Sequence, residues 1–264
     1  MRARVGVEPS DEIVAKRSGG CVRIRRGVFP SDALVTGVAP VDIWLDSLSS
    51  KIRRAPSLRQ RVECDFDVVV SGYPRSGNSF VAAALQRGTA GRLRIGNREH
   101  SPLISPIASG AGVPVIIPVR EPVGTLASWL VFRAAQGSHD RIDAYLASFR
   151  DWYRFVHRYR DPRTSVVVAF DDFTRDVNSL FTSKVVQFLD QNGVSPLDDS
   201  DVLADLEDAE KEGRGTAFDA TASLPVNARA EEKRHARDQL LSDRHSRRLH
   251  EAMDAYRALE CQTQ

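Results

Sequence analysis

The segment Val68-Val69-Val70-Ser71-Gly72-Tyr73-Pro74-Arg75-Ser76-Gly77-Asn78-Ser79-Phe80 sets two glycines around an arginine, followed by amide and hydroxyl side chains. Four residues separate Gly72 from Gly77, and Ser79 follows two later. This is the Walker A spacing, G-x-x-x-x-G-K-[ST], with Asn78 where the lysine belongs. Successive backbone N–H groups and the positive end of the following helix make such a loop a cradle for an anion. Without the lysine a triphosphate is poorly neutralised. Arg75 places a cation inside the loop instead, which suits a shorter anion such as a single 5′-phosphate bearing a transferable group. The plainer alternative is a Gly/Pro turn ahead of a serine-capped helix.

A second cation, Arg120, leaves the apolar run Val115–Val119, and Ser128 follows eight residues later. A guanidinium can grip a phosphate with two parallel hydrogen bonds, and Ser128, about two helical turns along, can add a hydroxyl. Alone, this pair reads equally as a solvated arginine and a packing serine. Its place at the end of a second buried strand, after the first loop, favours the anion-binding reading.

These residues need elements to position them. Asp67–Ser71, Val113–Val119 and Ser165–Phe170 are compact β-branched runs that read as buried strands, and Arg92–Ile95 as a short one. Helices are expected over Ser76–Gln86, from Pro122 to about Ala135, through Ile142–Val156, over Val177–Leu189 and within the last 30 residues. The aromatics Tyr145, Phe149, Trp152 and Tyr153 recur at helical spacing and read as core. Asp198–Glu212, with eight acids and one lysine, reads as a solvated helix or loop. Strands alternating with helices imply βαβ units, hence an α/β domain with a central, mostly parallel sheet flanked by helices. Ligands in such sheets bind beyond the carboxyl ends of strands, where Arg75 and Arg120 stand.

The stretch Tyr73-Pro74-Arg75-Ser76-Gly77-Asn78-Ser79-Phe80 resembles the 5′-phosphosulfate loop of sulfotransferases that use 3′-phosphoadenosine 5′-phosphosulfate (PAPS), commonly Tyr-Pro-Lys-Ser-Gly-Thr-Thr-Trp. The resemblance covers roughly residues 65–260 and is most specific at this loop. It implies a P-loop NTPase-like sulfotransferase core with PAPS as cofactor and 3′,5′-adenosine bisphosphate (PAP) as product. The acceptor would be a small molecule or carbohydrate bearing a hydroxyl or amine. It also implies roles. Arg75, Ser76, Gly77, Asn78 and Ser79 would hold the 5′-phosphosulfate, Phe80 would face the adenine, and Arg120 with Ser128 would hold the 3′-phosphate. Arg75, which does not give up a proton, would stabilise the leaving phosphate by charge. The family carries a base in a His-x-Pro context, which points to His100 in Glu99-His100-Ser101-Pro102, with Glu99 as the alternative. Further basic residues near the C-terminus, Arg214 in Gly213-Arg214-Gly215 or Arg229 with Lys233, would close over the 3′-phosphate. The other five histidines read as surface residues. The rivals are a P-loop small-molecule kinase, with Asp171-Asp172 as its best support, and a nucleotide-binding module without catalysis.

Composition narrows the field further. The 264 residues are 42% hydrophobic and 27% charged, as in an ordinary globular protein. Lys plus Arg number 37 against 35 acids, a net +2, which argues against a nucleic-acid partner. Only five of those cations are lysines, and most of the arginines need no functional explanation. No apolar run reaches the roughly 20 residues of a membrane span. No apolar stretch follows the charged N-terminus, so no signal peptide is expected. Cys21, Cys64 and Cys261 show neither metal nor disulfide spacing, and a cytoplasmic protein with reduced thiols and no metal is expected. Residues 1–64, with 12 cations against 7 acids over 1–63, read as an N-terminal extension packed on the core or contributing to the acceptor site. Residues 65–264 read as the sulfotransferase domain.

Overall fold

The computed structural model describes residues 12–17, 20–25, 62, 65–89, 91–96, 100–134, 142–175, 181–194 and 229–261. The chain divides into two compact units, residues 1–40 and 41–264. The first contains an antiparallel hairpin of β1 (Glu12–Arg17) and β2 (Gly20–Arg25), with Glu12 opposite Arg25 and Arg17 opposite Gly20.

The second unit is α/β. Its sheet has four parallel strands, β3 (Val68–Val70), β4 (Ile95–Gly96), β5 (Val115–Val119) and β6 (Ser165–Ala169), in the order β4-β3-β5-β6. The chain leaves β3 toward one edge to form β4, then returns past β3 to form β5. The gap between β3 and β5 is therefore the topological switch point, the place where open α/β sheets bind ligands.

Every residue of β3 and β5 is buried, because helices cover both faces. Val69, Val115, Ile117 and Val119 pack under α2 (Ile104–Gly110), α3 (Pro122–Ala134), α4 (Ile142–Tyr159), α7 (Ala230–Leu240) and α8 (Ser246–Glu260). Val68, Val70, Ile116 and Val168 pack instead against α1 (Asn78–Gly88) and α6 (Gln187–Gln191), which continues a π-helical turn, Phe181–Val186. Each fully buried valine or isoleucine contributes about 1.5–3 kcal/mol. Alternation thus divides one apolar run between two cores.

Several elements differ from expectation. The short strand starts at Ile95 rather than Arg92. Arg92 closes a turn onto the Thr89 carbonyl, and Arg94 is bound through backbone and guanidinium to Asp67. Phe66 lies where a Cβ on Gly96 would be, 2.7 Å from that position, so the glycine is required there. Helix α2 was not anticipated, although Ile104, Ile107 and Ala108 have helical spacing. After β6 the chain turns directly into α5 (Phe170–Arg175). The C-terminal helical stretch is two helices, separated by a 3₁₀ turn at Asp243–His245. Most of the expected extension 1–64, the start of the helix expected from Val177, the acidic stretch 198–212, residues 213–215 and Glu99 lie outside the described residues.

Among the described residues no helix is long and apolar enough to cross a membrane, and no group of three His, Cys, Asp or Glu could hold a metal ion.

Candidate functional site

The loop joining β3 to α1 is bent by two left-handed residues, Arg75 at φ 69° and Gly77 at φ 96°. Gly77 has a second constraint, since a Cβ there would come within 2.7 Å of the Phe170 ring. Gly72 is equally fixed: its Cβ would fall 2.4 Å from the Pro118 carbonyl oxygen of the neighbouring strand. The spacing of the two glycines is thus set by close approach of β5 and α5.

Helix α1 makes its first bond from the Val81 N–H to the Gly77 carbonyl, and no side chain caps its start. The preceding N–H groups have no partner within the helix and carry its positive end. The start of α3 is different. Glu121 accepts from the N–H groups of Val123 at 2.7 Å and Gly124 at 2.5 Å, closing that helix end with its own carboxylate. Of the two helices flanking the switch point, α1 alone presents an uncapped positive end.

Arg75 and Arg120 both follow strands that flank the switch point, near enough for the charge of Arg75 to act on Arg120. Arg75 donates from Nε to Ser128 Oγ at 3.1 Å, and its guanidinium carbon lies 5.4 Å from the centre of the Phe132 ring. Arg120 lies over the Phe170 ring at 4.2 Å, a cation–π distance. Among the described residues neither arginine forms an ion pair. Burial pushes both below the ordinary guanidinium range. For Arg120 the charges of Glu121 and Asp171 act upward and those of Arg75 and Arg237 downward. Lys233 is also pushed down, first by burial and then by Arg120, Arg75 and Arg229. Helix α7 therefore brings Lys233 into the field of both arginines and Arg237 into that of Arg120. These cations gather near the carboxyl ends of β3 and β5, with Glu121 and Asp171 also in their field, and a concentration of positive charge favours an anion there.

Helix α4 fixes the backbone of this site with two adjacent aromatic residues. Trp152 donates from Nε1 to the His100 carbonyl at 3.0 Å. The Tyr153 hydroxyl accepts from the Arg120 N–H and donates to the Arg120 carbonyl, both at 3.1 Å. Burial raises the Tyr153 pKa, so the hydroxyl keeps its proton and its donor role. The α4 aromatics are core, as expected, and Trp152 and Tyr153 also hold the main chain of the site.

The expected ligand contacts are distributed unevenly. Ser128, expected beside Arg120, is bonded to Arg75 instead, and Ser79 is exposed in the first turn of α1. Ser76 is fully buried near Tyr153 with its hydroxyl outside hydrogen-bond geometry, and its N–H closes a turn onto the Tyr73 carbonyl. The Asn78 amide also faces inward, bonded to the backbone of Gly72 and Tyr73. Phe80 requires a correction. It is 3% exposed and packs with Val81, Leu85 and Phe188, so its faces serve the core and offer nothing to a base. His100 is half-buried, with Nδ1 3.2 Å from the Gly72 carbonyl.

His245 also differs from expectation. It is 8% exposed, with Nδ1 2.8 Å from Asp143, which also binds Arg248. Burial acts to raise the Asp143 pKa, but His245 and Arg248 outweigh it and hold the carboxyl low. Of the C-terminal cations left open, Lys233 reaches the cluster, Arg229 pairs with Glu232, and Gly213–Gly215 lie outside the described residues. Arg237 was not anticipated; its placement one helical turn beyond Lys233 was the available signal.

No family model, curated protein or solved structure matches the chain. The fold is that of an α/β protein with a four-stranded parallel sheet, and Arg75 and Arg120 follow the two strands at its switch point.

Proposed function

We propose that the chain transfers a sulfuryl group from PAPS to a hydroxyl or amine on a small-molecule or carbohydrate acceptor. One observation carries the reading. Arg75 and Arg120 are half-buried at the carboxyl ends of the two strands flanking the switch point, with no ion-pair partner among the described residues. A fold keeps two such charges together at a cost, which an anionic ligand with separated phosphates offsets.

PAPS supplies an activated sulfuryl group on a phosphate leaving group. Arg75 takes up the charge that develops on that phosphate as the bond to sulfur breaks. Its Nε is held by Ser128, so its terminal nitrogens keep their donors for the ligand. Arg120, on its Phe170 platform and aided by Lys233, holds the second phosphate. His100 accepts the acceptor proton at Nε2 as the new bond to sulfur forms. Positioning and charge stabilisation then supply most of the rate, as in phosphoryl transfer. A P-loop kinase would need a cation at position 78, where the buried Asn78 amide is bound to backbone.

The reading is tested by following release of 3′,5′-adenosine bisphosphate from PAPS with a mixture of hydroxyl and amine acceptors. Acceptor-dependent release is expected, and His100→Ala should lower it about 10²–10⁴-fold while bisphosphate binding persists. Undiminished release in His100→Ala would remove the histidine from the mechanism. Failure of PAPS to bind would remove the sulfotransferase reading itself.

A further inference from the structure

Asn78 occupies the position of the Walker lysine, and its side chain is 4% exposed. The Gly72 N–H needs an acceptor and finds Asn78 Oδ1 at 2.5 Å, which fixes the orientation of the amide. Nδ2 then lies 3.1 Å from the Gly72 carbonyl and 3.1 Å from the Tyr73 carbonyl. A primary amide has two donor hydrogens, and these two carbonyls take both. A lysine could not make this set of bonds, because it has no acceptor for the Gly72 N–H.

The Nδ1 atom of His100 sits in the same small space, 3.2 Å from the Gly72 carbonyl and 3.3 Å from Asn78 Nδ2. With both amide hydrogens committed, Asn78 has none to give the imidazole. A bare Nδ1 would place its lone pair against the carbonyl lone pair. A protonated Nδ1 instead donates to the Gly72 carbonyl, and the imidazole lone pair is then on Nε2.

We propose that Asn78 is a positioning residue for His100: it pins the Gly72 carbonyl that accepts the Nδ1 proton, and thereby fixes the tautomer with the lone pair on Nε2. The consequence for turnover rests on the proposed role of His100 as base; the tautomer does not. The Trp152 bond to the His100 carbonyl complements this device by holding the residue's main chain while Asn78 sets the proton on its ring. Together they hold the main chain of the residue and the Nδ1 side of its ring. The inference also gives a reason for the departure from the Walker pattern, since the residue after Gly77 serves the base and not the anion.

Side-chain ¹H–¹⁵N NMR of His100 in the ligand-free, full-length chain reads the tautomer directly. The expected spectrum has protonated Nδ1 and unprotonated Nε2. In Asn78→Asp the new carboxylate still accepts from the Gly72 N–H and can also accept a hydrogen bond from Nδ1–H, so the same tautomer should persist. In Asn78→Ala the Gly72 carbonyl is released, and resonances of the Nε2-protonated form should appear. Turnover of PAPS in Asn78→Ala should fall at least tenfold in kcat, with KM for PAPS changed less than twofold. An Nε2-protonated wild-type histidine would overturn the inference, and so would an unchanged tautomer in Asn78→Ala. The wild-type spectrum decides the matter alone if Asn78→Ala does not fold. Absence of PAPS turnover in the wild type would overturn the functional reading and leave the tautomer assignment to the spectrum.

Discussion

The Tyr153 hydroxyl brackets Arg120, accepting from its N–H and donating to its carbonyl, each at 3.1 Å. A fully buried aromatic of α4 thus fixes the main chain of a cation at the end of β5. Tyr153→Phe keeps the ring and its stacking on Phe149 at 4.2 Å but leaves that N–H without its partner. The expected loss is about 1–3 kcal/mol of stability, read as a lower denaturant midpoint with an unchanged slope. Bisphosphate affinity should weaken more than in Phe149→Leu, a core change that leaves Arg120 bracketed. Equal affinities in the two variants would show that the hydroxyl does not set the site.

Gly77 combines a left-handed backbone with contact against Phe170, and Phe170 carries Arg120 on its face. Gly77→Ala should cost about 1–2 kcal/mol for the backbone alone, and displacement of the ring adds to it. The variant should therefore lose anion affinity along with thermal stability. Gly112, also left-handed at φ 68° but with open space around its Cβ, is the control, because Gly112→Ala carries the backbone term without the displaced ring.

Lys233 gives the site a pH signature. Burial, then the charges of Arg120, Arg75 and Arg229, hold it below its ordinary 10.5, so the folded ligand-free protein disfavours the ammonium more than the unfolded chain does. Its destabilising contribution is present at neutral pH and is relieved as pH rises from the depressed folded value toward 10.5. A bound polyanion reverses the preference and favours the ammonium, so affinity should fall over that alkaline window. Melting curves of wild type and Lys233→Met with and without bisphosphate separate these effects. The variant should lose the pH dependence of affinity and bind more weakly at pH 7. An identical pH dependence in the variant would assign the titration elsewhere.

The loop was legible where its geometry was local. Gly72 to Ser79 could be read from spacing, because a tight loop between a buried strand and a helix leaves few choices of residue. The partnerships that make the site were not legible, because they join distant segments. Arg75 and Ser128 are 53 residues apart, and Trp152 reaches His100 across 52. Side-chain direction was the other blind point. Asn78, Ser76 and Phe80 lie in a motif that suggests ligand contact, yet all three face inward, since the first turn of α1 must also pack on the sheet. His245 reversed the opposite way, a polar residue in an amphipathic segment drawn inside by Asp143. The parallel sheet itself followed from uninterrupted apolar runs, but the strand order did not, and the order places Arg75 and Arg120 beside one another.

The pairing of Arg75 and Arg120 is tested most directly by the thermal stability of wild type and Arg120→Ala with 3′,5′-adenosine bisphosphate, ADP, and ATP with Mg²⁺. A ligand at 100 times its dissociation constant adds about 2.7 kcal/mol, a readily measured shift. Selective stabilisation of the wild type by the bisphosphate is predicted. That stabilisation should be lost in Arg120→Ala, while the ligand-free variant changes less, because the burial cost of the cation offsets its attraction to Glu121, Asp171 and the Phe170 ring. Stronger stabilisation by ATP with Mg²⁺, or an undiminished bisphosphate shift in Arg120→Ala, would contradict the account.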